Sequence, residues 1–115
     1  MGIFSFEGRV NRSTYWPTII SLLIVIAVVT FGIQYVLAAS SSQAISNSFA
    51  LLDLLFTILV TWILLATYVK RCHDINMSGW LVLLALIPFV NLLVLLYLGI
   101  VPGTSGVNKY GEEPQ

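Results

Sequence analysis

Three apolar runs constrain this chain more than any other feature: Pro17 to Ala39, Phe49 to Val69, and Trp80 to Val101. A helix needs about 20 apolar residues to cross the hydrocarbon of a bilayer. Each run is long enough. Backbone polar groups in lipid must be satisfied internally, so only helices or closed barrels can cross. Barrel strands alternate polar and apolar residues, whereas "SLLIVIAVV" and "LLVLLYLGIV" do not. The pattern predicts an all-α membrane protein with three transmembrane helices, over about 17–39, 49–69 and 80–101. Residues 1–115 form a single membrane domain on this reading, and 102–115 are a turn-rich tail.

Charge leads to the same solvent. Only 9% of the 115 residues are charged and 58% are hydrophobic, against about 25% charged in a soluble domain. A water-soluble fold this small cannot bury so large an apolar share. Net charge is zero and no basic patch interleaves with aromatics, so nucleic acid is not an expected partner. Cys72 is the single cysteine, which excludes an internal disulfide or a cysteine-rich zinc cluster. The start "MGIFSF" has Phe6 where a myristoylation signal has Ser or Thr. Val36-Leu37-Ala38 resembles a signal-peptide cleavage site, but the apolar stretch before it exceeds the roughly 7–15 residues of such segments. The first run is expected to stay as an anchor.

Lysine and arginine set the orientation. Arg9 and Arg12 precede the first run, Lys70 and Arg71 follow the second, and "SSSQAISNS" between them carries no charge. The positive-inside rule puts the N-terminus and the 70–79 loop in the cytoplasm, with 40–48 outside. Three full crossings leave the tail outside. Pro88 interrupts "LALIPFVNLL", with Asn91 close by. Proline removes a helix hydrogen bond and clashes with the carbonyl four residues back. The expectation is a third span kinked at Pro88, because a turn exposed to lipid leaves backbone groups unpaired. The alternative is a hairpin of two half-length helices, which returns the tail to the cytoplasm and brings Lys109 and Tyr110 to the arginines.

Charge gathers at that cytoplasmic level. Arg9 and Arg12 share one side of a helical turn, and Tyr15 and Trp16 suit the aromatic belt at the headgroups. Arg71, His73 and Asp74 arrive from the other side, where Asp74 or Glu7 is placed to pair with an arginine. Exposed pairs of this kind contribute ~0–1 kcal/mol. Each juxtamembrane Lys or Arg adds about 1 kcal/mol towards anionic lipid. In the second run Asp53, Thr57 and Thr61 recur every four residues, hence on one helical face. Gln34 of the first run is expected at similar depth, bonding Asp53 or Thr57 across the helix pair. Such contacts average ~0.6 kcal/mol.

Four segments, "FEGRVNRSTYW", "KRCHDINMSGW", "LIPFVNLL" and "PGTSGVNKYGEEP", together resemble the bacterial membrane family called Domain of Unknown Function 805. Gly8, Arg9, Arg12, Tyr15 and Trp16 match its first block, and Arg71, His73, Asp74, Ser78, Gly79 and Trp80 its second. Pro102, Gly103, Thr104, Gly106, Asn108, Tyr110 and Gly111 match the tail. Asn91 stands where members often have glycine. The resemblance implies a multi-pass protein of the bacterial inner membrane and supplies no activity.

His73 beside Asp74 invites an acid–base reading, but no nucleophile accompanies them and Ser78 suits a helix cap. One His and one Asp are too few for a metal. The expected role is therefore non-enzymatic, with no cofactor. It is a scaffold or regulator meeting membrane lipids, anionic headgroups among them, or a membrane-protein partner or further copies of itself. The alternative is an oligomeric transporter or channel subunit using the Asp53 face, since an intramembrane carboxylate is by default a functional hypothesis.

Overall fold

The computed structural model describes residues 3–114. Two long helices, α1 (Arg12–Ala39) and α2 (Gln43–Asp74), are followed by a 3₁₀ helix (Gly79–Leu86) and a short α3 (Val90–Ile100). The described residues contain no strand, only an isolated bridge between Asn108 and Gly111.

Capping fixes where the long helices begin. Asn11 is the N-cap of α1, its side chain accepting from Thr14 N at 3.0 Å. Ser42 caps α2 through Ile45 N at 3.4 Å. Each cap satisfies one of the donors a helix start leaves open. The short polar connection between α1 and α2 forces them antiparallel. Both outrun the expected spans, starting at Arg12 and Gln43 and continuing to Asp74. At 1.5 Å per residue α2 is about 48 Å long, more than the roughly 30 Å of hydrocarbon. Its last turn therefore stands clear of the apolar run.

α2 ends in a Schellman motif. Asn76 adopts φ 60°, while Asn76 N reaches His73 O at 3.0 Å and Met77 N reaches Cys72 O at 2.8 Å. Asparagine tolerates this left-handed position better than most residues.

The expected third span, one kinked helix, is corrected. Ile87 before Pro88 is extended at φ −92°, ψ 123°, as the proline ring demands of its neighbour. Phe89 then takes φ 69°, and the pair of conformations reverses the chain instead of bending it. Asn91 N closes the turn on Ile87 O at 2.9 Å. The result is the hairpin alternative, with the 3₁₀ helix as its first arm and α3 as its second. Met77, just before the first arm, meets Tyr97 near the end of the second, with Sδ and Oη 3.9 Å apart.

The core lies at one end. Tyr15, Ile19, Tyr68, Cys72, Val94 and Leu98 form it, with Leu81, Val82 and Ala85 of the 3₁₀ helix packed alongside. Beyond the hairpin tip the helix pair stands alone, and Leu23, Ile24, Val28, Phe31, Leu52, Leu55 and Ile58 are exposed. The molecule extends 57 × 27 × 21 Å. Bare apolar helix of this kind is costly in water and ordinary in lipid, whose tails are as apolar as leucine.

Candidate functional site

Asp74, the last residue of α2, is 2% exposed and anchors the charged end. Three residues along a helix put Arg71 and Asp74 on one face, and Arg71 Nη1 pairs with Asp74 Oδ2. Arg9 arrives from the segment before α1, its Nη2 lying 2.9 Å from Asp74 Oδ1 and its Nε donating to the same oxygen at 3.0 Å. Two guanidiniums on one carboxylate leave donors over, and carbonyls take them. Arg9 donates to Gly106 O at 2.6 Å, Gly111 O at 3.1 Å and Thr104 O at 2.5 Å. Arg71 donates to Val10 O at 3.1 Å and Leu98 O at 2.6 Å, and also to Val101 O. A buried ion pair repays its desolvation only when its remaining hydrogen bonds are made. Every buried side-chain nitrogen and oxygen among the described residues has a partner.

Arg71 and Arg12 also finish α3. A helix ends with four unpaired carbonyls and a negative dipole end. Leu98 O accepts from Arg71 and Ile100 O from Arg12 at 3.2 Å. Gly99 O accepts from Trp16 Nε1 at 2.9 Å, and one turn earlier Leu95 O accepts from Tyr15 Oη at 2.7 Å. Val101 N returns to Tyr97 O at 3.1 Å. Tyr15 and Trp16, expected as a lipid-facing belt, are instead donors that bind α1 to α3. Gly99 admits the indole because a Cβ there would run into the Trp16 ring.

The tail folds back as a compact cap. Thr104 N reaches Asp74 O at 2.7 Å, and a Cβ on Gly103 would meet the Asp74 carboxylate. His73 stacks on Tyr110, centroids 3.9 Å apart and planes within 4°. Its Nδ1 lies 3.0 Å from Gly8 O, a carbonyl that only accepts, so Nδ1 carries the hydrogen. Asn108 Nδ2 holds His73 O at 2.9 Å. Lys109 lies 5.1 Å over the Tyr110 ring. Ser78 is the N-cap of the 3₁₀ helix, accepting from Trp80 N at 3.4 Å. No group of three or more His, Cys, Asp or Glu side chains is placed to hold a metal among the described residues.

The structure brings together Arg9, Arg71, His73 and Asp74, with Arg12 at the rim. Glu7 is exposed, and Asp74 rather than Glu7 pairs with the arginines among the described residues. Asp53, Thr57 and Thr61 do share one face, lining a cavity of about 190 Å³ with Thr30 of α1. The expected bond from Gln34 to Asp53 or Thr57 does not form; Gln34 is exposed. Counted from the turn at Ser41, Thr30 falls at the depth of Asp53, and Gln34 lies nearer the turn. Asn91 accepts from Tyr68 Oη at 3.2 Å and ties α3 to α2. Sequence reasoning missed the burial of Lys70, 5% exposed. It also missed the N-terminal segment, where Phe4 O accepts from Trp62 Nε1 at 2.9 Å and Phe6 packs on the Trp62 ring.

Two helices long and apolar enough to cross a membrane, fastened at one end by a buried charge network, define an all-helical integral membrane protein. The chain belongs to the family described as protein of unknown function DUF805, which it matches over residues 3–112. It is 34% identical over 110 residues to inner membrane protein YhaI of Escherichia coli K12, covering 96% of this chain and 86% of that one. Inner membrane protein YhaH of the same organism is 28% identical over 110 residues, covering 96% and 87%. No solved structure matches.

Proposed function

We propose that this chain is a non-enzymatic scaffold or regulator of the bacterial inner membrane, engaging lipid or another membrane protein through its sides. α1 and α2 cross the bilayer. The 3₁₀–α3 hairpin enters one leaflet and leaves by the same face, so the N-terminus, residues 70–79 and the tail are all cytoplasmic. The positive-inside rule supports that side. Full satisfaction of Arg9 and Arg71 by groups of the chain itself carries the reading. A charge network closed on itself holds a fold and leaves recognition to other surfaces. The bare outer halves of α1 and α2, with Leu23, Val28, Leu52 and Leu55 exposed, are the broadest of these. Photo-crosslinking from Leu55 and Val28 in intact cells tests the protein-partner form. A discrete protein adduct is expected from both, and absence of any adduct from either counts against it.

A second reading has its own observation. Asp53, Thr57, Thr61 and Thr30 line one cavity beyond the hairpin tip, the arrangement an oligomeric transporter or channel subunit would use. Ion flux in proteoliposomes, lost in Asp53→Asn, favours it. Absence of flux at every pH and voltage excludes it.

A further inference from the structure

The recess of about 190 Å³ between α1 and α2 holds unused hydrogen-bonding groups. Thr30, Asp53, Thr57 and Thr61 line it, and all four are exposed. A threonine within a helix often bonds the carbonyl four residues back, as Thr18 does to Thr14 O and Thr67 to Ile63 O, both at 2.8 Å. Among the described residues, the side chains of Thr30, Thr57 and Thr61 make no such bond, and Asp53 has neither a hydrogen bond nor an ion pair. Asp53 lies five residues past Ser48, the last polar residue of "SSSQAISNS", hence about 7.5 Å into the apolar run at helical rise. Acyl chains offer no donor there, and a carboxylate without one is costly at that depth. Whatever covers the recess must bring donors to the level of Asp53.

A second copy of this chain brings one. Copies insert the same way up, so a two-fold axis along the membrane normal keeps every residue at its own depth. Turning two recesses towards each other about that axis sets α1 of each copy against α2 of the other. Thr30 on α1 and Asp53 on α2 are nearly equidistant from Ser41 at the turn, so they meet at one level. We infer that the recess is a self-association face, with Thr30 of each copy donating to Asp53 of the other. One contact is thereby made twice, as an isologous interface requires. A carboxylate accepts from several donors, and Thr57, one turn on from Asp53, supplies a further hydroxyl. Threonines are also small enough to let two helix backbones approach closely. This inference rests on the protein-partner form of the proposed function and names the partner as a second copy; it holds whether or not the pair conducts ions.

Two differently tagged full chains, one carrying Thr30→Cys and the other Asp53→Cys, test it when co-expressed in bacterial membranes and oxidised with copper phenanthroline. The mixed disulfide is expected to dominate over the Thr30→Cys self-disulfide, because a disulfide needs Cα atoms within about 7 Å. In that mixed pair Asp53 of the first copy still meets Thr30 of the second. Cys72 is fully buried and gives little background. Energy transfer between labelled chains in liposomes, across protein-to-lipid ratios, gives the dissociation constant of the pair. Thr30→Val raises it about tenfold, the loss of two symmetry-related bonds. Thr18→Val, whose hydroxyl is already held by Thr14 O, leaves it unchanged. This second measurement decides the matter should Asp53→Cys fail to insert. Predominance of the self-disulfide, or no mixed disulfide between copies that both insert, overturns the inference. So does a wild-type chain that stays monomeric at every density, or a dissociation constant unchanged in Thr30→Val. Adducts from Leu55 and Val28 to a protein of different mass would keep the partner reading while this inference fails.

Discussion

Trp16 and Gly99 are matched twice over: the indole Nε1 donates to Gly99 O at 2.9 Å, and the missing Cβ at Gly99 makes room for the ring. The contact joins the first turns of α1 to the last turn of α3 and holds the third apolar run at the charged end.

Gly99→Ala should therefore loosen the hairpin. The added methyl displaces the indole and overpacks the seam, costing about 1–3 kcal/mol. A lower melting temperature in detergent, with red-shifted tryptophan emission, is the expected result. Unchanged melting would mean that the seam yields without cost.

Asp74→Asn removes the charge that two arginines share. Breaking one side of a buried pair costs ~3–5 kcal/mol, and here both Arg9 and Arg71 lose their counter-charge. Most of the variant should fail to accumulate in the membrane, as seen by quantitative blotting. Arg71→Lys should fall nearly as far, because a lysine cannot hold Leu98 O, Val10 O and Val101 O in one planar fork. Wild-type levels in both variants would deny the network its structural role.

Single cysteines report sidedness, since Cys72 is fully buried and gives little background. Ser105→Cys in the tail and Ser41→Cys at the turn between α1 and α2 should label with opposite sidedness. An impermeant maleimide reaches Ser41→Cys in intact spheroplasts and Ser105→Cys only after lysis. Labelling of both from outside would restore a third crossing.

Trp62→Phe deletes the donor to Phe4 O while keeping a ring for Phe6, a loss of about 0.5–1.5 kcal/mol. The N-terminal segment should then open more often. Chymotrypsin cleavage at Phe4 and Phe6 in micelles is expected to accelerate several-fold, with the helices untouched. Equal cleavage rates would show that the hydrogen bond adds nothing.

The long helices were legible because apolar length and caps are local: Asn11 and Ser42 lie beside the runs they start. The cluster Arg9, Arg71, His73, Asp74 was legible too, since ions in so apolar a chain collect where water is. The destinations of its donors were hidden. Arg9 bonds to Gly106 and Gly111, 97 and 102 positions away, and no periodicity encodes such a pairing. Pro88 reads alike whether a helix kinks or reverses. The difference is made by Phe89 at φ 69°, a conformation its side chain does not advertise. The objection that a turn in lipid leaves carbonyls unpaired was sound. At the turn Asn91 N takes Ile87 O and Leu93 N takes Phe89 O, while Tyr15, Trp16, Arg12 and Arg71 take up carbonyls of α3 towards the other end of the hairpin.

The third run reaches only part-way along the helix pair, so the body is wedge-shaped, with four segments abreast at one end and two at the other. With the hairpin in one leaflet, as proposed, it occupies more area there than in the opposite leaflet. Such a shape relieves lateral pressure where the crowded leaflet is stretched, and it favours membrane that bows outward on the side of the arginines.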